Sequence, residues 1–274
     1  MTREIETGTD DLLGRIDGHV AVLTLNRPES RNALSEGIYA GFGAALPALA
    51  ADPDVRVVML TGAGGAFCAG GDVKRMDKRN QASAPAMTIE ESVNDLRRRQ
   101  RSVSLALHQF PHPVVAAIPG PAAGAGFSIA MAADLRVAAE RAFLVTAFSS
   151  IGASGDFGGS WFLTRLLGGA KAKELYFRSP RIPAAEAKDL GLVNEVFADD
   201  DFERHALDYC HELAQRAPIA LRYAKENINR AMDVDLATAL DAEAPAMRRT
   251  MSTDDHKEAA AAFVQKRTPT FGGS

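Results

Sequence analysis

The chain has 274 residues, a formal net charge of −4 and an isoelectric point near 5.9. This acidic balance argues against a surface that attracts nucleic acid, and we predict no nucleic-acid partner. With 46% hydrophobic and 24% charged residues, the composition is that of an ordinary soluble globular protein, and its apolar runs are too short to cross a membrane. The polar N-terminus lacks the features of a secretory signal, and the chain has only two cysteines. Both observations favour a cytoplasmic location.

The first half of the chain carries most of the strand signals. Residues 11–25 are predicted to form two strands around a turn at Asp17 and Gly18. Ser35 is the predicted N-cap of a helix that ends near Ala51, because apolar side chains recur at helical spacing. Apolar, β-branched runs at 55–60 and 114–118 predict buried strands of a core sheet, and a further short strand is expected at 135–138.

The segments that separate and follow these strands are predicted to be mainly helical. The polar segment 77–95 is predicted to be a mobile functional loop, followed by a basic amphipathic helix from about Leu96 to Phe110. Helices are predicted at 184–191, 201–216, 218–232 and 255–266. Because strands cluster early and helices late, without an internal repeat, the sequence predicts an α/β core over 1–198 and a helical region over 199–274.

Three glycine-rich turns, at 65–76, 120–126 and 152–159, each follow a strand-like segment. At such turns backbone N–H groups are free, and glycine or alanine lets a ligand atom approach closely, which is the geometry of an anion site. None of the turns has the spacing of a dinucleotide fingerprint or a P-loop. The turns therefore predict a site for a negatively charged group without naming it.

Several longer segments carry a resemblance to a known family. They are LNRPESRNALS (25–35), VVMLTGAGGAFCAGGDVKRM (57–76), PHPVVAAIPGPAAGAGFSIAMAADLRVA (111–138) and FSSIGASGDFGGSWFLTRLLGG (148–169), followed by matches at 179–197 and 261–271. In these segments the chain resembles the crotonase, or enoyl-CoA hydratase/isomerase, superfamily. The resemblance implies a spiral of ββα units whose helical C-terminal region supports oligomerisation and covers the active site. It also implies a homotrimer or hexamer, and an acyl-CoA thioester substrate that itself brings the coenzyme A, with no separate cofactor. We predict no metal, because His108 and His112 have no metal-ligand spacing with acids or cysteines.

The resemblance assigns the glycine-rich turns to the thioester. The backbone N–H groups of Gly71 and Ala125 would hold the thioester oxygen as an enolate forms, and losing one such donor typically costs roughly 3 to 4 kcal/mol. The residues matched to the coenzyme A site are Arg27, Arg31, Ala33, Ala69, Gly70, Asp72, Lys74, Phe263 and Lys266. The last two belong to a C-terminal segment that in the family often reaches a neighbouring subunit's site.

The carboxylates depart from the hydratase pattern. Two glutamates activate water in the family's hydratases, and their positions, aligned by eye, are Ser128 and Ala147 here, neither of which can act as a base. Asp156 instead matches a position that carries an isomerase's proton-transfer carboxylate in several relatives and a nucleophile in a dehalogenating one. The expected acyl pocket consists of Ser128, Phe148, Phe157 and Trp161. Apolar neighbours would raise the pKa of Asp156 and suit it as a base.

Several interpretations of the site remain open. The first is an enoyl-CoA isomerase that uses Asp156 alone. Others are a hydratase in which Asp156 activates water, a hydrolytic, dehalogenating or ring-opening enzyme, and a non-catalytic acyl-CoA-binding protein. Asp156 could also be a simple turn residue. We expect Cys68 to be a small buried residue and the arginines at 97–101 to form a solvated face or a subunit contact.

Overall fold

The computed structural model describes residues 2–72, 81 and 87–274. The strands in chain order are β1 Thr2–Ile5, β2 Leu12–Asp17, β3 Val20–Leu25, β4 Val57–Gly62, β5 Val114–Ile118, β6 Ala122–Ala123, β7 Leu135–Ala139, β8 Phe143–Val145, β9 Ile182–Pro183 and β10 Glu195–Phe197. Seven of them form one sheet in the order β1-β2-β3-β4-β5-β7-β10, and β6-β8-β9 form a small second sheet. Pairing is antiparallel from β1 to β3 and parallel from β3 to β10.

Helices are interspersed with the strands, and the chain after β10 is helical. They are α1 Glu36–Ala51, α2 Ile89–Gln100, α3 Ala125–Ala132, α4 Gly159–Arg178, α5 Ala184–Asp189, α6 Phe202–Ala214, α7 Pro218–Ala231, α8 Leu236–Met251 and α9 Asp254–Gln265. A π-helical turn and a short α-helical turn extend α2 through Ala106–His108. The α/β class with a helical C-terminal region is confirmed, while the division at 198/199 stays a prediction.

The central strands are apolar on both faces because both faces are covered. Side chains alternate along a strand, so Leu23 and Leu25 of β3 join the core beneath α1, while Val20 and Val22 join the core beneath α6. The strands of β4 and β5 alternate in the same way. This explains the near-continuous apolar runs that predicted buried strands.

Most predicted elements are present. The turn between β2 and β3, strands β4, β5 and β7, and helix α1 lie where the sequence places them, and the Ser35 side chain accepts a hydrogen bond from the N–H of Ile38. The expected start of the basic helix is wrong, since α2 begins at Ile89 rather than near Leu96. A capping box between Thr88 and Glu91 fixes that earlier start. Residues 89–95 are therefore helix, and residues 77–80 and 82–86 of the predicted loop lie outside the described residues.

Two elements carry no clear sequence signal. Strand β1 is largely exposed, and it pairs only with β2 at the sheet edge. Helix α8 contains Pro245, a residue that normally ends a helix, and buries little beyond Ala246. Within the part of the chain that the structure covers, no helix combines the length and apolarity needed to cross a membrane.

Candidate functional site

Three chain segments meet at the carboxyl-terminal side of β3, β4 and β5. The N–H of Ala69 donates to the carbonyl of Arg31 at 2.9 Å, and the N–H of Leu34 donates to the carbonyl of Gly70 at 2.8 Å. On the other side, the N–H of Ala123 donates to the carbonyl of Cys68 at 2.9 Å. The segment 68–70 thus lies between the two others, held by backbone hydrogen bonds along both edges.

The turns that carry Gly71 and Ala125 are packed directly against each other. Gly70 has φ +83°, and a Cβ atom on it would lie 2.7 Å from the carbonyl oxygen of Ala123 and 2.9 Å from the nitrogen of Ala125. Helix α3 begins at Ala125, so the N–H groups of its first turn have no acceptor within the helix. Backbone donors from two different turns are therefore brought to one place, and the helix dipole favours negative charge there.

Asn32 fixes the third segment and is absent from the sequence-based site. Its side chain is fully buried, accepts a hydrogen bond from the N–H of Arg27 at 2.8 Å, and donates to the carbonyls of Ala63 and Ala66 at 2.9 and 2.8 Å. Its own backbone has φ +58°, which asparagine tolerates better than most residues. The signal was an asparagine inside a turn motif, yet two of its three partners, Ala63 and Ala66, are more than thirty residues away in sequence.

The residues matched to coenzyme A divide by what they contact. Arg27 is half-buried and donates to the carbonyl of Ala33 at 2.6 Å, so its guanidinium braces its own loop. Arg31 is exposed at the rim. Ala33 is buried, while Asp72 is half-buried. Ala69 is half-buried between the two neighbouring segments, and Lys74 lies outside the described residues.

Cys68 is a packing residue. Its thiol is fully buried, donates to the carbonyl of Asn32 at 3.0 Å and accepts from the N–H of Gly70 at 3.3 Å. Burial raises the pKa of Cys68 to about 12, so the reactive thiolate is disfavoured at neutral pH. This agrees with the expectation of a small buried residue.

Asp156 is a carboxylate in an apolar setting. Burial raises its pKa from 3.8 to about 6, and its Oδ1 atom is buried without a hydrogen-bond partner among the described residues. The side chain lies in the turn before α4, where the N–H of Gly159 donates to the Asp156 carbonyl at 3.2 Å. A turn or cap residue would use its carboxylate to accept a backbone N–H, whereas here Oδ1 accepts none.

The turn around Asp156 is held by α1 and α2. The N–H of Phe157 donates to Oε1 of Gln100 at 3.0 Å, and the Phe157 ring stacks on that of Tyr39 with centroids 6.2 Å apart. Gly155 has φ +103°, a conformation that proline cannot adopt. Glycine at 155 thus permits the turn that precedes Asp156.

Two tyrosines that the sequence did not single out border Asp156. Burial raises the pKa of Tyr39 and of Tyr176 to about 12, and the negative charge of Asp156 contributes to both rises. The Arg99 guanidinium lies over the Tyr39 ring, 4.7 Å from its centroid. Both phenols therefore stay protonated at neutral pH and can donate hydrogen bonds.

The expected acyl-pocket residues do not all lie together. Ser128 is fully buried on α3, and the Phe148 ring stacks on that of Tyr176 with centroids 5.9 Å apart. Trp161 instead lines a cavity of about 410 Å³ with His108 and residues of α7, and the Arg165 guanidinium covers its ring at 3.6 Å. Phe148, Phe157 and Asp156 are not part of that cavity's lining.

The remaining predicted residues lie at the surface. Phe263, near the end of α9, is 85% exposed, and Lys266 ends that helix with φ +55°. Two arginines of the basic helix α2 are ion-paired, since Arg98 pairs with Asp95 and Arg99 pairs with both Asp95 and Glu36. Across the described ranges, no group of three or more histidines, cysteines, aspartates or glutamates is arranged to hold a metal ion.

Comparison with known proteins identifies the fold and family. A family model described as enoyl-CoA hydratase/isomerase matches residues 15–274. The chain is 34% identical to a 1,2-epoxyphenylacetyl-CoA isomerase of Escherichia coli, over 96% of this chain and 98% of that protein. It is 36% identical to a short-chain-enoyl-CoA hydratase of Clostridium acetobutylicum, over 92% and 93% of the two.

A solved structure gives the same result. The crystal structure of an enoyl-CoA hydratase from Polaromonas sp. JS666 superposes with a TM-score of 0.88 at 39% identity, covering 95% of this chain and 99% of the other. Since sequence and fold agree over nearly the whole length, the expected spiral architecture is confirmed. The chain belongs to the enoyl-CoA hydratase/isomerase family and is an enzyme of that family.

Proposed function

We propose that the protein is an enoyl-CoA isomerase that moves a double bond into conjugation with the thioester by means of one carboxylate, Asp156. The observation that carries this proposal is the buried Asp156 Oδ1, which has no hydrogen-bond partner among the described residues, with the pKa of the side chain raised to about 6. At neutral pH this group is ionised yet is a stronger base than an ordinary aspartate. The positions matched to the hydratase glutamates, Ser128 and Ala147, supply no carboxylate.

The reaction needs a single proton to move. Asp156 takes a proton from the α carbon of a 3-enoyl-CoA, and the electrons of that C–H bond form an enolate on the thioester oxygen. The N–H groups of Gly71 and Ala125 stabilise this oxygen, an effect typically worth about 3 kcal/mol for each donor. Asp156 then returns its proton to the γ carbon as the double bond shifts to the α,β position. Nothing is oxidised, and no second acid is required.

A hydratase is the second candidate. The same enolate would form if Asp156 activated a water for addition to a 2-enoyl-CoA, and the relative from Clostridium acetobutylicum is named as a hydratase. The non-catalytic alternative requires that neither substrate is turned over. These three possibilities differ in substrate and product, so one experiment separates them.

The experiment supplies purified protein with a 3-enoyl-CoA in D₂O, following the absorbance of the conjugated thioester and deuterium uptake. Asp156→Asn tests the base, and Asp200→Asn, at an exposed position after β10, is the matched control. The isomerase proposal expects conjugation in wild type and in the control, and its loss in Asp156→Asn. Hydration of a 2-enoyl-CoA without any reaction of the 3-enoyl-CoA would replace it with the hydratase, and no turnover of either would favour a binding protein.

We further propose that the chain assembles as a homotrimer or hexamer through its C-terminal helices, and that Phe263 and Lys266 reach the coenzyme A of a neighbouring copy. The support is the exposure of apolar side chains there, with Leu236 75% and Val264 80% exposed and Phe263 more so. Isolated apolar side chains are common on surfaces, but a cluster on packed helices is typical of an interface. Light scattering after gel filtration would give the mass, and a monomer at micromolar concentration would refute the assembly.

A further inference from the structure

Three buried polar atoms, one on Asp156 itself and two on its neighbours, lack a short hydrogen bond to any described residue. Tyr176 OH and Asp156 Oδ1 are buried without a hydrogen-bond partner among the described residues. Ser128 Oγ, on a fully buried side chain, has one long hydrogen bond, 3.4 Å, to the carbonyl of Gly124. A side-chain hydrogen-bond interaction with Ser128 lowers the pKa of Tyr176 against the larger effect of burial, but the two hydroxyls do not reach the geometry of a full hydrogen bond.

These atoms surround one turn. A Cβ atom added to Gly159 would collide with Ser128 Oγ and lie 2.6 Å from Tyr176 OH. A Cβ atom added to Gly155 would lie 3.3 Å from the same Tyr176 hydroxyl. Both glycines flank Asp156, so the two hydroxyls lie against the turn that carries the carboxylate.

The hydroxyls are also connected to the turn at the start of α3. The Tyr176 ring stacks on Phe148, and the Phe148 ring lies 3.9 Å from where a Cβ of Gly124 would be. Gly124 directly precedes Ala125, the proposed donor to the thioester oxygen. Ser128 Oγ contacts the carbonyl of the same Gly124, so both hydroxyls are linked to the turn at which α3 begins.

We propose that Tyr176 and Ser128 form a subsite for an oxygen atom carried by the acyl group, so that the substrate is an oxygenated acyl-CoA rather than a hydrocarbon one. This rests on the proposed function of the same site. A buried hydroxyl without a partner is costly, and a hydrocarbon acyl chain would leave the hydroxyls as they are. A hydroxyl, carbonyl or ether oxygen would accept from Tyr176, which stays protonated at neutral pH. Sites built in this way discriminate strongly against an analogue that lacks the oxygen.

Binding of unreactive ligands tests the subsite without turnover. Saturated acyl-CoA pairs that differ by hydroxyl for methyl, such as 4-hydroxybutanoyl- and pentanoyl-CoA, or 5-hydroxypentanoyl- and hexanoyl-CoA, are titrated calorimetrically. The aromatic pair is 4-hydroxyphenylacetyl- and 4-methylphenylacetyl-CoA. We expect at least one hydroxylated member to bind wild type about tenfold or more tightly than its methyl partner.

Variants assign the preference to the subsite. Tyr176→Phe removes only the hydroxyl and should reduce that preference to about twofold or less, and Ser128→Ala should reduce it partly. Tyr223→Phe, on α7, is the matched control and should keep it. Equal binding within every pair, as expected if water already fills the subsite, would overturn the proposal, as would a preference that survives in Tyr176→Phe. If wild type prefers the hydroxylated ligand but isomerises no 3-enoyl-CoA, the isomerase proposal is refuted and the subsite proposal stands.

Discussion

Replacing Asp156 by asparagine should stabilise the folded protein at neutral pH, although we expect it to abolish activity. Burial raises the folded-state pKa of Asp156 from 3.8 to about 6, so between these values the folded chain binds more protons than the unfolded chain. Stability contributed by this group is therefore lost as pH rises through that window. At roughly 1.4 kcal/mol per pKa unit, the full penalty is about 3 kcal/mol. Asparagine stays neutral and escapes it.

The pH dependence of the gain makes this prediction specific. The difference in unfolding free energy between Asp156→Asn and wild type should be under about 1 kcal/mol at pH 4, about 2 at pH 5 and about 3 at pH 7 and above. Urea unfolding at fixed protein concentration measures it, with Asp200→Asn as the exposed control, for which we expect no comparable rise. A gain that does not grow between pH 4 and 7, or a loss at pH 7, would show that the carboxylate is not held in an apolar setting.

Three further predictions concern the site and its support. For a 3-enoyl-CoA, kcat/KM should fall about tenfold per pH unit below about 6, because Asp156 must be ionised to accept a proton, and a flat profile down to pH 5 would exclude it as the base. Gly70→Ala should lower kcat/KM at least about a hundredfold, because its Cβ would press on backbone atoms of the adjacent turn, whereas Gly43→Ala, with nothing within 4 Å, should keep activity. Lys225→Met should cost about 3 to 5 kcal/mol in urea unfolding by leaving Asp134 uncompensated, since their side chains pair at 2.7 Å with the lysine only 9% exposed; a Lys225→Met/Asp134→Leu variant that recovers none of this would refute the pairing argument.

The sequence predicts the core of the fold well because periodicity and burial agree there. β4 and β5 are buried on both faces, and their uninterrupted apolar runs indicate this burial. The start of α2 was predicted too late because the residues from Ile89 to Asp95 are mostly exposed, leaving no apolar stripe to count. The capping box at Thr88 and Glu91 was the available signal. β1 and α8 were missed for the same reason, since each buries little.

The sequence predicts which backbone turns form the site better than it predicts which side chains border it. Gly71, Ala125 and Asp156 belong to continuous motifs, and the structure brings the turns of the first two together. Tyr176 lies twenty residues beyond Asp156, and its position beside that carboxylate depends on how α4 packs, which no local pattern encodes. Trp161 stays a predicted acyl-pocket residue that was chosen for its nearness in sequence to Asp156, and its ring lines a cavity with residues of α7 that the sequence did not place beside it.

The turn at Asp156 shows how an unfavourable backbone can be kept for a functional side chain. Phe157 has φ +51°, a left-handed conformation that costs a non-glycine residue about 1 kcal/mol or more. Its side chain is 1% exposed, and full burial of a phenylalanine contributes about 2 kcal/mol, so packing against Tyr39 offsets the strain. The hydrogen bond from its N–H to Gln100 adds to this. Asp156 is thus positioned by contacts of its neighbour with α1 and α2, while its own Oδ1 accepts no hydrogen bond from the part of the chain that the structure describes.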